Sequence, residues 1–151
     1  MENVPLDDLI AHRAPMRFLD RMIAIGTEEA LAETVVTTGN PLFVPGRGLP
    51  AYTGLEMMAQ AIASIDGFKR LQSGQAPKIG FLLGCRRYTV DRADFAEGTK
   101  LRIGAKMVFG DGEMFAFECR IDGEDGAEIA KANMSVYAPK DPEKFLKDGA
   151  P

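Results

Sequence analysis

Apolar and polar positions change rhythm along this chain. Residues 16–25, MRFLDRMIAI, are mostly apolar with polar breaks, and residues 30–38, ALAETVVTT, are rich in β-branched side chains. Both read as strands, joined by a Gly-Thr-Glu-Glu turn. Before them, residues 5–11, PLDDLIA, fit a single helical turn. The loop GNPLFVPGRGLP follows, with three prolines and three glycines. The period then lengthens. Over residues 52–71, Tyr52, Leu55, Met58, Ala59, Ile62, Ala63, Ile65 and Phe68 recur near helical spacing, and small alanines crowd the middle. That spacing predicts one long helix that is mostly buried. Gly74 and Pro77 supply its stop signals. Beyond it, segments 78–90, 99–109, 113–121 and 127–138 read as strands. Asp111-Gly112 lies between two apolar runs and predicts a hairpin, because primed turns need positive φ. DGEDGAE is a second hairpin turn, and the tail PKDPEKFLKDGAP is polar.

The predicted order is two strands, one long buried helix, then four strands in an antiparallel meander. A lone helix of about 20 residues is buried if a curved sheet wraps around it. This is an α+β hotdog fold, with a domain over residues 1–138 and a polar tail over 139–151. Such a sheet alone would expose edge strands and an apolar face, so a dimer is expected.

Length and composition narrow the classes. A chain of 151 residues suffices for one full core. The net charge of −4 argues against a nucleic-acid binder, because phosphate neutralisation needs clustered Lys and Arg. Cys85 and Cys119 lie in apolar segments outside any CxxC pair, which suits free thiols in a reducing compartment. The N-terminal segment has no basic stretch followed by an apolar one, and no apolar run reaches the roughly 18 residues of a membrane span. The cytoplasm is the expected location.

Candidate chemistry centres on LPAYTGLEMMAQAIA, residues 49–63, where Glu56 stands among Leu55, Met57, Met58 and Ala59. Thr53-Gly54-Leu55-Glu56 fits a capping box, so Glu56 has a purely local reading. It also has a chemical one. A helix mouth offers unpaired N–H groups to a carbonyl oxygen, and a carboxyl among apolar side chains suits acid–base work. Gly54 would let a substrate approach the backbone, and Tyr52 could donate a hydrogen bond there. Met57 and Met58 read as core or groove lining. The set suits a thioester carbonyl carrying an acyl chain. The one histidine, His12, lies about 44 positions away and could reach Glu56 only through the fold.

These segments also carry a resemblance. AHRAPMRFLDRM resembles the opening of 3-hydroxyacyl-ACP dehydratases of the hotdog superfamily, with Pro-His-Arg-x-Pro, an apolar strand and Asp-Arg. GLEMMAQAIA resembles their central helix, Glu56, Met58, Ala59 and Gln60 matching its Glu-Ala-Met-Ala-Gln. GFLLGCRRYTVDRADFAEGTKLRI is similar to a later pair of strands. The likeness runs from residue 9 to about 137, and its wording is closest to the dehydratase-like proteins of aryl polyene pigment clusters. It implies removal of water from a 3-hydroxyacyl thioester on acyl carrier protein, with Glu56 as the acid. It implies no metal or organic cofactor, a homodimer or a heterodimer with a second hotdog subunit, and substrate contacts at Tyr52, Gly54, Leu55, Met58 and Gln60. Arg86 and Arg87 are candidates for the carrier or its phosphopantetheine, against a plain reading as a solvated strand edge.

One departure stands out. The family's base is a histidine in a Gly-His-Phe-Pro-Gly turn, and this chain has NPLFVPGRGLPAY there, with Arg47 and no histidine. A guanidinium stays protonated and is no base. Either His12 has taken over the base role, or the chain is a weakly active partner subunit. An acyl thioesterase, using Glu56 to activate water without His12, is a further alternative.

Overall fold

The computed structural model describes residues 1–75 and 82–137. Its strands are β1 (Arg21–Ile25), β2 (Glu29–Val35), β3 (Leu49–Pro50), β4 (Leu82–Val90), β5 (Asp94–Phe95), β6 (Lys100–Asp111), β7 (Met114–Asp122) and β8 (Glu128–Tyr137). The helix α1 (Thr53–Gln72) follows β3, and a short 3₁₀ turn, Leu6–Asp8, precedes β1. Six strands form one antiparallel sheet in the order β1-β2-β6-β7-β8-β4, and β3 pairs only with β5. The expected polar tail, and the start of the first post-helix segment, lie outside the described residues.

Period-two alternation gives this sheet one wet and one dry face. Leu101, Ile103 and Ala105 of β6, Phe117, Cys119 and Ile121 of β7, and Ala132, Met134 and Val136 of β8 are buried. Arg102, Lys106, Glu118, Arg120 and Lys131, between them, are exposed. The dry face meets Met57, Met58, Ala61, Ile62, Ile65 and Phe68 of α1. On the wet face Glu33 is held by Arg21 at 3.2 Å and more loosely by Arg102 at 3.8 Å and Lys100 at 3.9 Å.

Two expectations need correction. The four late strands are not one meander: β6, β7 and β8 are consecutive neighbours, but β4 lies beyond β8 at the far edge. The place beside β6 is taken by β2, paired from Glu29↔Lys106 to Val35↔Lys100. The helix crosses the sheet, so the strand after it arrives at the opposite edge. The first strand is also shorter than expected, because residues 16–18 send their backbone bonds elsewhere. Met16 and Arg17 N–H groups donate to the Arg13 carbonyl at 2.9 and 3.2 Å, and Phe18 N–H donates to Gln60 Oε1 at 2.8 Å.

Gly67 decides how closely the N-terminal segment packs on the helix. A Cβ there would be driven into the Leu9 backbone carbonyl. Gly67→Ala gains about 1 kcal/mol of helix propensity. The clash with backbone outweighs it, and we expect a net loss of about 2 kcal/mol. A urea midpoint unchanged or raised relative to wild type would contradict this.

Candidate active site

The mouth of α1 is set by short elements that the sequence pattern did not reveal. Leu49↔Phe95 and Pro50↔Asp94 pair as β3 and β5, and Ala51 N–H donates to the Ala93 carbonyl at 2.9 Å. Gly48 has φ 115°, which carries the backbone close past Phe95. Arg47 is exposed and bonded to Asp94 at 3.0 Å.

From β4, the Tyr88 hydroxyl donates to the Ala51 carbonyl at 2.6 Å. That hydroxyl, with Ile121 Cδ1, fills the space a Cβ on Gly54 would need. The expectation for Gly54 is thereby corrected: it is buried beneath Tyr88, and its missing side chain serves packing, not an open approach to the backbone. Burial pushes the Tyr88 phenol up to about 12, with Cys85 adding to the shift. The folded chain holds the phenol neutral more strongly than the unfolded chain. Its contribution to stability is full below pH 10 and is lost as pH rises towards 12. Tyr88→Phe should lower stability by about 1 kcal/mol at pH 7, because the Ala51 carbonyl loses its shorter bond and keeps only the one from Gly54 N–H at 3.1 Å. It should also remove part of the alkaline destabilisation seen by thermal melting between pH 9 and 12. An unchanged alkaline profile would count against this role.

The capping box is also corrected. Tyr52, the residue before the helix, already has helical φ and ψ and makes no side-chain cap. Thr53 is inside the first turn, and its hydroxyl donates to the Pro50 carbonyl at 2.7 Å. The Gly54 and Leu55 N–H groups donate back to Ala51 and Tyr52 carbonyls, both at 3.1 Å. The Tyr52 and Thr53 N–H groups make no hydrogen bond among the described residues. Thr53 is buried and Tyr52 is exposed at the mouth, so the Tyr52 amide is the one left for an incoming oxygen.

Glu56 is instead held from the side. Gln60, one turn on, donates from Nε2 to Glu56 Oε1 at 2.9 Å and to the Met16 carbonyl at 2.8 Å. Its Oε1 accepts from Phe18 N–H. One buried amide thus ties the carboxyl to the segment that follows His12. Upstream, Leu9 and Ile10 are buried under the helix, and Arg13 donates to the Ile10 and His12 carbonyls at 2.7 and 2.9 Å. Anchored on both sides, His12 places Nε2 at 3.8 Å from Glu56 Oε1. The two side chains are 25% and 43% exposed, so the pair is reachable from solvent. A gap of 3.8 Å is too long for a direct hydrogen bond and leaves the imidazole free to engage another atom. His12 Nδ1 is buried with no partner among the described residues.

The other expected site residues scatter. Tyr52 is 61% exposed at the mouth, beside Thr53, and Leu55 is half-buried against the core. Met58 and Gln60 have no exposed surface, so in this chain neither presents itself to a substrate. Arg86 and Arg87 are exposed on β4 and form no ion pair with described residues. Sequence reasoning missed the Met16 carbonyl, Phe18 N–H and Tyr88. Only Gln60, four residues after Glu56 on one helix face, left a readable signal. Among the described residues, no group of three His, Cys, Asp or Glu side chains is placed to hold a metal. No helix among them is long and apolar enough to cross a membrane.

A long helix inside a curved antiparallel sheet is the hotdog architecture, and an imidazole facing a carboxyl at the helix mouth equips it for acid–base chemistry. Sequence comparison makes this more specific. The chain belongs to the ApeP dehydratase family, whose profile matches residues 4–147. Among solved structures, it is similar to the dehydratase heterocomplex ApeI:P from Xenorhabdus doucetiae, at 25% identity and TM-score 0.85 over 97% of this chain and 99% of that one. The PaaI protein of the Escherichia coli phenylacetic acid degradation operon is 15% identical, with TM-score 0.55 over 77% and 80% of the two chains. A hypothetical thioesterase with coenzyme A from Streptococcus pneumoniae is 10% identical, with TM-score 0.55 over 78% and 84%. These last two show the fold alone. No curated protein sequence matches the chain.

Proposed function

We propose that this dehydratase converts a 3-hydroxyacyl thioester on acyl carrier protein into the trans-2-enoyl thioester, in synthesis of the aryl polyene type. The observation that carries the reading is the His12–Glu56 pair, brought to 3.8 Å within a single chain. His12 Nε2 takes the proton from C2 of the substrate. The electron pair of that bond forms the C2–C3 double bond, and the C3–O bond breaks. Glu56, protonated, donates to the departing hydroxyl, which leaves as water. The free N–H group of Tyr52, at the exposed mouth of the helix, stabilises the thioester oxygen as charge develops on it. His12 thus replaces the histidine missing from the loop before the helix, and Arg47, held by Asp94, takes no part.

The working unit is a pair of hotdog subunits. Strand β4 closes one edge of the sheet, and its residues 84–87 are exposed, which leaves an unpaired edge for a second subunit. Assembly of ApeI:P as a heterocomplex supports this. Arg86 and Arg87 on the same strand are the proposed contacts for the carrier or its phosphate arm.

Intact-mass analysis of a 3-hydroxyacyl-ACP incubated with the chain, alone and with a hotdog partner, tests the reading. Loss of one water in either case supports it. Release of free acid would assign a thioesterase. An unchanged substrate in both cases would overturn the dehydratase role of this chain.

A further inference from the structure

A short stretch, residues 11–15, joins Ile10, buried under the helix, to Met16, whose carbonyl Gln60 holds. His12 stands in it, and the stretch is neither strand nor helix. The N–H groups of Ala11, His12, Arg13 and Ala14 make no hydrogen bond among the described residues, and Pro15 has none to give. These N–H groups therefore do nothing to fix the imidazole. The bonds that do close the stretch meet at Arg13. Its carbonyl accepts from Met16 and Arg17 N–H at 2.9 and 3.2 Å. Its Nη1 donates to the Ile10 and His12 carbonyls at 2.7 and 2.9 Å, and its Nη2 to the Asp7 carbonyl at 3.2 Å. Those three carbonyls accept no other hydrogen bond among the described residues. The Arg13 side chain is 54% exposed, yet its charged head turns back onto the chain instead of reaching into water. The Asp7 carboxylate adds little, because it lies 3.7 Å from Arg13 and is bonded to Arg17 at 2.6 Å.

We propose that Arg13 is a positioning residue for the reaction: its guanidinium gathers the carbonyls of Asp7, Ile10 and His12 and so places the His12 imidazole opposite Glu56. The inference rests on the dehydratase reading, in which His12 takes the proton. Arg13 acts through the backbone of His12 and touches no substrate atom. The geometry requires an arginine. Three carbonyls from three peptide units are reached by one rigid planar fork, whose donors sit on separate nitrogens. A lysine keeps the charge but carries its donors on a single atom, so it cannot span all three. Charge and fork are therefore separable by substitution. Without the fork, the chain between Ile10 and His12 loses the bonds that shape it. A displacement of about 1 Å at the imidazole then costs up to about 10²-fold in rate.

The experiment uses the chain with its hotdog partner and a 3-hydroxyacyl substrate on carrier protein. Arg13→Lys should lower kcat by about 10–10²-fold, leave KM within about threefold and melt within about 4 °C of wild type. Asp7→Asn removes the ion pair, keeps the Asp7 carbonyl and should leave kcat within about twofold. In Arg13→Ala, guanidinium ion at concentrations too low to unfold the chain should restore part of kcat, and ethylammonium should not. A rise in KM with kcat unchanged would make Arg13 a substrate or carrier contact and overturn the proposal. Equal losses in Arg13→Lys and Asp7→Asn would overturn it too, since only the ion pair would then matter. If Arg13→Ala fails to fold, Arg13→Lys carries the test. A second readout needs no turnover. His12 is the one histidine, so with this chain alone isotope-labelled the complex gives a single imidazole signal in NMR. That signal should broaden or split in Arg13→Lys and stay single and sharp in Asp7→Asn. The two readings fail separately. A wild-type complex that removes no water sinks the dehydratase reading, and the imidazole signal still decides on Arg13. Dehydration with a sharp, single signal in Arg13→Lys does the reverse.

Discussion

Glu56→Gln should cut dehydration by about 10²–10⁴-fold, the usual contribution of one positioned acid or base, and leave the fold almost untouched. The amide oxygen of a glutamine can still accept from Gln60 Nε2, so the bond that holds residue 56 survives. No cap is lost, because Glu56 does not cap the helix. A purely structural Glu56 predicts the opposite: full activity with a loss of about 0.5–2 kcal/mol, the value of a missing cap. His12→Ala should match Glu56→Gln in activity. The double variant should fall little below either single one, because residues that act as a unit are non-additive. The check is single-turnover dehydration of the carrier-bound substrate beside a thermal melt. Retained activity in His12→Ala would remove the imidazole from the mechanism. It would also direct the search for a base to the partner subunit.

Gln60→Leu should be costly in both stability and rate. The buried amide serves Phe18 N–H, the Met16 carbonyl and Glu56 at once. Leucine fills similar space but leaves these groups unpaired, at a cost of about 2–4 kcal/mol. The 13–18 segment then loses its tie to the helix. A displacement of about 1 Å between His12 and Glu56 is enough to cost up to about 10²-fold in rate. Gln60→Glu should be costlier still, because a carboxylate with no exposed surface faces the Glu56 carboxyl and the Met16 carbonyl and, ionised, donates to neither. Stability and kcat should fall together. Urea unfolding read beside kcat and KM tests this, and a variant that loses stability without losing kcat would reduce Gln60 to a structural role.

Much of the fold was legible from periodicity. The helical spacing over residues 52–71 and the Asp111-Gly112 turn each rest on local chemistry: a 3.6-residue face and a positive φ at Gly112. Strand order was not legible in the same way. Alternation shows which faces of β6, β7 and β8 are dry, but not which neighbour β4 joins. That choice follows from where the helix ends and from β2 already occupying the edge of β6. The paired β3 and β5, two residues each, are too short to leave any pattern.

The site divides along the same line. Glu56 was visible as a carboxyl among apolar side chains, and its local pattern pointed equally well to a cap. The backbone decided against the cap: Tyr52 is already helical, so Thr53 falls one position too far in. His12 was visible only as the sole imidazole. By itself, the sequence determined the residue types available for chemistry and the elements that carry them, because composition and periodicity are local properties. Only the tertiary structure decided that His12 and Glu56 meet, that Gln60 braces them and that Tyr88 fills the space over Gly54. Each of those depends on contacts between residues 34 to 44 positions apart, whose geometry is set by how the helix seats in the sheet.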